Sequence, residues 1–111
     1  MHEMSIARAI YRQITSIEEK HQRCAVACAV EVGPLSGVEA LLLQSAFADL
    51  SSESMRQVGL SIQEVPLEVR CLACHVESAI DSFRFVCPAC GSPQVQVIRG
   101  DQVQLVHVDL V

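Results

Sequence analysis

The sequence predicts an α+β protein, with two helices packed on a small, mainly antiparallel sheet and a small lobe inserted before the last strand. Three observations carry this. Isoleucines recur at helical spacing near the start, alternating apolar runs occupy the middle and the end, and two Cys-x2-Cys pairs lie between residues 71 and 90.

Ile6, Ile10, Ile14 and Ile17 form one stripe, with Arg8, Arg12, Glu18, Glu19 and Lys20 largely away from it. This predicts an amphipathic helix over 4–22. From Cys24 to Val32 the chain reads as a strand with Val26, Cys28, Val30 and Val32 on one face and alanines on the other. Gly33-Pro34-Leu35-Ser36-Gly37 is a loop, and 38–50 is a second helix with Val38, Leu41, Leu42, Ser45 and Ala46 on one side. Ser51–Gly59 is polar and turns. Alternation returns from Leu60 to Arg70, with Pro66 marking an edge or a bend out of the main sheet. Phe83–Val86 is a candidate short strand within the cysteine segment. Gln94–Ile98 and Gln102–Leu110 are β-rich runs joined by the tight turn Arg99-Gly100-Asp101.

Half of the 111 residues are apolar, yet only 4% are aromatic and none is Trp. The core must therefore come from Val, Leu, Ile and Ala, and a core this small gains from a metal staple. The formal net charge of −5 argues against nucleic acid, whose phosphates need dense Lys and Arg. It suits capture of cations or basic protein surfaces. No apolar run approaches the roughly 20 residues that span a bilayer. His2, Glu3, Arg8 and Arg12 interrupt any signal-peptide pattern, so a cytoplasmic location is expected.

Cys71-Leu72-Ala73-Cys74 and Cys87-Pro88-Ala89-Cys90 stand twelve residues apart. Two residues between cysteines let a tight turn aim both sulfurs at one point, and two such turns complete the tetrahedron that zinc accepts. Pro88 fixes φ inside the second turn, and Gly91 can take the left-handed conformation after it. Four thiolates leave no open position, so the site is read as structural and the segment as a zinc ribbon. Two other readings use the same residues: reduced thiols or redox dithiols, and haem attachment through Cys71-Leu72-Ala73-Cys74-His75. Cys24 and Cys28 share a strand face about 13 Å apart, too far for one ion, and are read as buried apolar thiols.

At the other end, the Met1 amine, the His2 amide nitrogen and His2 Nδ1 can close a five- and a six-membered chelate ring in one plane. Ni(II) and Cu(II) favour such nitrogen donors. Deprotonating an amide is costly near neutral pH, which makes the ion releasable. His21 and His107 are read as surface or packing residues. No nucleophile–base pair and no Gly-rich phosphate loop is present, so no enzyme is predicted.

With Met1-His2-Glu3-Met4-Ser5, the stretch Val32-Gly33-Pro34-Leu35-Ser36-Gly37-Val38-Glu39 and the paired cysteines, the chain resembles the HypA/HybF family over nearly its whole length. These are the nickel metallochaperones of [NiFe]-hydrogenase maturation. The resemblance implies His2 as the essential nickel ligand, with the Met1 amine and Glu3 assisting, and zinc on Cys71, Cys74, Cys87 and Cys90. It also implies partnership with the nickel-binding GTPase HypB and with the hydrogenase large-subunit precursor, and some members serve urease. Position 4 is Met where many members have Leu, and the extra histidine ligand of the family's zinc lobe matches His75 only loosely. The implied organisation is a nickel-binding α/β domain over 1–66 and 100–111, with a zinc ribbon over 67–99, as monomer or weak homodimer. The competing function is a zinc-ribbon adaptor without transported metal.

Overall fold

The computed structural model describes residues 2–111. Helix α1 spans His2–His21, followed by strand β1 (Ala25–Val32), helix α2 (Ala40–Glu53) and strands β2 (Gly59–Glu64), β3 (Leu67–Cys71), β4 (Glu77–Ile80), β5 (Val95–Arg99) and β6 (Val103–Leu110). The strands form two three-stranded sheets, ordered β2-β1-β6 and β4-β3-β5. In the first, β1 runs parallel to β2 and antiparallel to β6. Parallel neighbours need a crossover, and α2 is that crossover. The second sheet is wholly antiparallel.

The larger core lies between the helices and the first sheet. Ala7, Ile10 and Ile14 of α1 meet Cys28, Val30 and Val32 of β1 and Leu43, Ala46 and Phe47 of α2. The helices are fixed to each other by Tyr11 stacked on Phe47, ring centroids 4.6 Å apart, and by a hydrogen bond between the Tyr11 and Ser51 hydroxyls. At the far end of α1, Glu18 pairs with Arg56 and accepts the Ala25 N–H at 2.7 Å, so one carboxylate joins α1, β1 and the segment after α2.

Both predicted helices and the bend at Pro66 are present, with four local differences. Helix α2 turns a different face inward: Leu41 is 78% and Leu42 48% exposed, while Leu43, Ala46 and Phe47 are buried. Phe47 has the most surface to bury and a ring to stack on, and it decides the helix rotation. Val26 faces solvent and Cys24 is exposed, because an irregularity between Ala25 and Ala27 shifts the β1 pairing by one residue. Phe83–Val86 is not a strand. Ser82 and Phe83 both have φ of 55°, which no ladder accommodates, and the strand of that region is β4. The two last β runs do not pair, since β5 lies on β3 and β6 on β1.

The chain passes between the sheets at Val65–Pro66 and again at Gly100–Gln102. The passages are sewn to β1 and the loop after it: Val65 N–H donates to Val32 C=O at 3.0 Å, Gly33 N–H to Gln102 C=O at 3.2 Å, and Leu35 N–H to Gly100 C=O at 2.9 Å. Arg99 reaches from β5 to Glu31 of β1 at 2.9 Å. A β-carbon at Gly33 would lie 2.2 Å from the Gly100 carbonyl carbon, so the two backbones touch where only hydrogen fits. The radius of gyration is 17.0 Å, against about 13 Å for a single compact body of this length, as expected of two sheets set end to end. Gly33→Ala should cost about 1–3 kcal/mol, the range for overpacking. Urea unfolding checks it, with a fall in midpoint expected.

Candidate metal centre

Cys71 ends β3, Cys74 lies in the turn that follows, and Cys87 and Cys90 form a second turn between β4 and β5. The two turns share one design. After the first cysteine pair, His75 N–H donates to Cys71 C=O at 3.0 Å and Cys71 N–H to Val76 C=O at 3.0 Å. After the second, Gly91 N–H donates to Cys87 C=O at 2.7 Å and Cys87 N–H to Ser92 C=O at 2.8 Å. Both turns close through a left-handed residue, His75 with φ 64° and Gly91 with φ 78°. The sequence-based expectation for Gly91 holds. Its counterpart in the first turn is a histidine, at a position glycine fills without steric cost.

The four sulfurs converge. Cys71 Sγ lies 3.6 Å from Cys90 Sγ, and Cys74 Sγ lies 3.6 Å from Cys87 Sγ. All four ligand atoms fall within 4.8 Å of one another. Bonds of about 2.3 Å to a tetrahedral ion put sulfurs about 3.8 Å apart, so the donor set is close to what such an ion needs. The pairs form across the turns, joining each turn to the other, and a redox dithiol would need neither this convergence nor a second pair. Haem attachment through the first turn leaves the second pair without a role.

Backbone amides prepare the sulfurs for negative charge. Cys71 Sγ accepts the Ala73 N–H at 3.3 Å and the Cys74 N–H at 3.4 Å. The Cys74 amide is the main reason that Cys71 is drawn down to about 6, against desolvation. Cys87 is lowered in the same way by the amides of Cys90 and Ala89. The Ser92 amide favours the Cys90 thiolate, but hydrogen bonding with Cys71, desolvation and the sulfurs of Cys74 and Cys87 outweigh it and push Cys90 up to about 12. Cys74 is raised as well, despite the Val76 amide, by desolvation and by Cys71 and Cys87. One thiol in each turn is thus ready to ionise and its neighbour resists. Only a cation at the centre lets all four carry charge together.

Of the other predicted site residues, Met1 lies outside the described residues. His2 is the first residue of α1, with Glu3 next to it, and neither joins the sulfur cluster. His75 is exposed on its turn, and His107 pairs with Asp109 at 2.6 Å. Sequence reasoning did not find the partners of the amino-terminal turn. Glu3 Oε2 accepts the Glu39 N–H at 3.2 Å, and the His2 ring stands over Gly37, where a β-carbon would lie 4.0 Å from Nε2. The Glu39 amide, with smaller help from Glu3's own N–H and from His2, holds the Glu3 carboxyl below its ordinary range.

A four-sulfur metal centre on a small antiparallel sheet, carried by a two-helix α/β body, defines a metal-binding protein of the zinc-ribbon kind. The family described as hydrogenase/urease nickel incorporation metallochaperone, HypA, matches residues 1–110. A hydrogenase maturation factor HypA from Nitrosospira multiformis is 34% identical, covering 100% of this chain and 98% of its own. One from Azotobacter chroococcum is 35% identical, with 99% of each chain covered. The chain belongs to the HypA family. The solution structure of the Ni metallochaperone HypA from Helicobacter pylori superposes with a TM-score of 0.77 at 23% identity, over 100% of this chain and 98% of that one, and so shares the fold.

Left-handed backbone costs a non-glycine residue about 1–2 kcal/mol. His75→Gly should therefore raise the thermal midpoint and Gly91→Ala should lower it, both read by calorimetric melting of the metal-loaded protein.

Proposed function

We propose that the chain is a nickel metallochaperone that delivers Ni(II) during maturation of [NiFe]-hydrogenase, and of urease where that enzyme is present. Membership of the family supports this reading, and the observation that carries it is the start of α1 at His2. The first N–H groups of a helix have no intrahelical acceptor, so the helix makes no claim on the His2 amide that the nickel chelate would use. The donors are the Met1 amine, the His2 amide nitrogen and His2 Nδ1, with Glu3 assisting. They leave a fourth position in the plane for an incoming ligand. The positive end of the helix opposes a dication, and loss of the amide proton offsets that. Binding is therefore loose enough for transfer, and the chain itself is not an enzyme.

The resident ion is zinc, held structurally on Cys71, Cys74, Cys87 and Cys90. A closed sulfur shell supplies a staple and offers no position for substrate. The functional division is then a nickel-binding α/β part, 1–66 with 100–111, and a zinc-ribbon part, 67–99. The nickel-binding GTPase HypB and the hydrogenase large-subunit precursor are the proposed partners, with the protein working in the cytoplasm as a monomer or weak homodimer. Among the described residues, no helix is long and apolar enough to cross a membrane.

Titration calorimetry on untagged protein should find one nickel per chain, lost in His2→Ala and lost again when residues are added before Met1. Unchanged affinity in both would discard the mechanism. For zinc, chelation should unfold the 67–99 part first, since its buried core is only Leu67, Val69 and Ile80 and metal binding there is coupled to folding. Protons compete for the sulfurs, so apparent zinc affinity should fall as the pH is lowered. Competition with a chromophoric chelator measures it, and a second sheet that keeps its amide protection without metal would sink the staple.

A further inference from the structure

Helix α2 begins without a cap of its own. Glu39 sits at its N-cap in extended backbone, φ −92° and ψ 124°, and makes no side-chain cap bond. The first turn carries no acidic residue, so the positive end of the helix and its free N–H groups lack a local answer. The answer comes from thirty-six residues away: the Glu3 carboxylate accepts the Glu39 N–H.

The loop that receives Glu3 is tied at several points. Ser36 Oγ donates to Gly33 C=O at 2.7 Å and accepts the Val38 N–H at 3.2 Å, and Leu35 N–H holds Gly100 C=O. Gly37 has φ 73°, a conformation glycine adopts without strain, and the His2 ring lies beside it, with Nε2 4.0 Å from where a β-carbon would stand. The amino-terminal turn is therefore fastened to a fixed platform rather than left as a helix end free to fray.

We infer that Glu3 is a positioning residue for the amino-terminal metal site, a latch whose carboxylate holds the first turn of α1 on the Glu39 amide so that His2 stands over Gly37. It assists nickel binding by ordering the donors and is not itself a ligand. A donor set already in place loses less conformational freedom on binding. The inference rests on the amino-terminal nickel reading and specifies the part Glu3 plays in it.

The test uses untagged full-length protein with Ni(II) alone, followed by calorimetry and by the visible d–d absorption of the bound ion. Glu39→Pro deletes the donor N–H and leaves every proposed ligand and the Glu3 side chain untouched. Glu3→Ala deletes the acceptor, and Glu3→Gln keeps an acceptor without the charge. Glu39→Pro and Glu3→Ala should each weaken nickel about tenfold, the lower end for outer partners of a metal site, with the d–d band where the wild type has it. Glu3→Gln should lose less than Glu3→Ala. Wild-type affinity in Glu39→Pro, or a shifted band in Glu3→Ala, overturns the latch, the latter by placing the carboxylate on the metal. Should Glu39→Pro fail to fold, amide hydrogen exchange at Glu39 decides: it should speed up in Glu3→Ala, and equal exchange overturns the latch. Failure of His2→Ala to weaken nickel would instead sink the amino-terminal reading, while the exchange measurement still decides the Glu3–Glu39 bond.

Discussion

Four sulfurs held within one small sphere are the constraint on which the second sheet depends. Its buried core is three side chains, Leu67, Val69 and Ile80, with Val95 and Val97 half-buried against them. Burying so little apolar surface cannot offset the ordering of some thirty residues. The turns do not make up the difference unaided, because their amides lower two thiols while proximity raises the other two. A divalent ion bound there would remove that conflict. It would join the end of β3 to the turn before β5 across nineteen residues of chain, and the sheet and the ion would then support each other.

That sheet is not an appendage on a flexible tether. The two passages between the sheets touch where Gly100 packs on Pro66 and Leu67, and the loop after β1 touches the same point through Gly33, so neither glycine has room for a β-carbon. Arg99 adds an ion pair to Glu31 and a longer one to Glu68, and these half-exposed pairs contribute little beside the backbone bonds. The loop that leaves this junction at Gly33 reaches Gly37, beside the His2 ring, four residues later. One short segment thus touches the base of the sulfur-bearing sheet with one end and the amino-terminal turn with the other.

Much of this was legible in the residues. The isoleucine stripe located α1, the cysteine spacing located the metal centre, and Pro66 marked where the chain leaves the first sheet. What failed had physical causes that a linear pattern hides. In α2, Leu41 and Leu42 offered as plausible an inner face as Leu43, Ala46 and Phe47, and only the Tyr11 ring on the neighbouring helix distinguishes them. A one-residue slip turned Val26 outward while Cys28, Val30 and Val32 kept the expected inner face, and alternation carries no warning of a bulge. Phe83 and Phe85 read as strand residues, yet Phe83 and the Ser82 before it are both left-handed. The bond from Glu39 to Glu3 could not be seen at all, since a backbone N–H has no signature in sequence. The missing cap on α2 was the one available hint.

The two proposed metal sites follow opposite rules, and the fold gives a reason for keeping them on separate bodies. A closed tetrahedron of sulfurs exchanges its ion reluctantly because every bond must be replaced and the sheet around it opened. A planar set of nitrogens with one vacant place surrenders its ion to any protein that can supply the fourth donor and then the rest. If cargo and staple shared ligands, thiolates would compete for the nickel and release would be lost. Cargo donors at the start of α1, on a helix whose inner face is anchored by Ile10 and Ile14, would stay away from sulfur while keeping a defined position. Glu3 extends that logic by one bond. A site that must let go cannot rely on strong coordination, so whatever selectivity it has must come from holding weak donors in the right place beforehand.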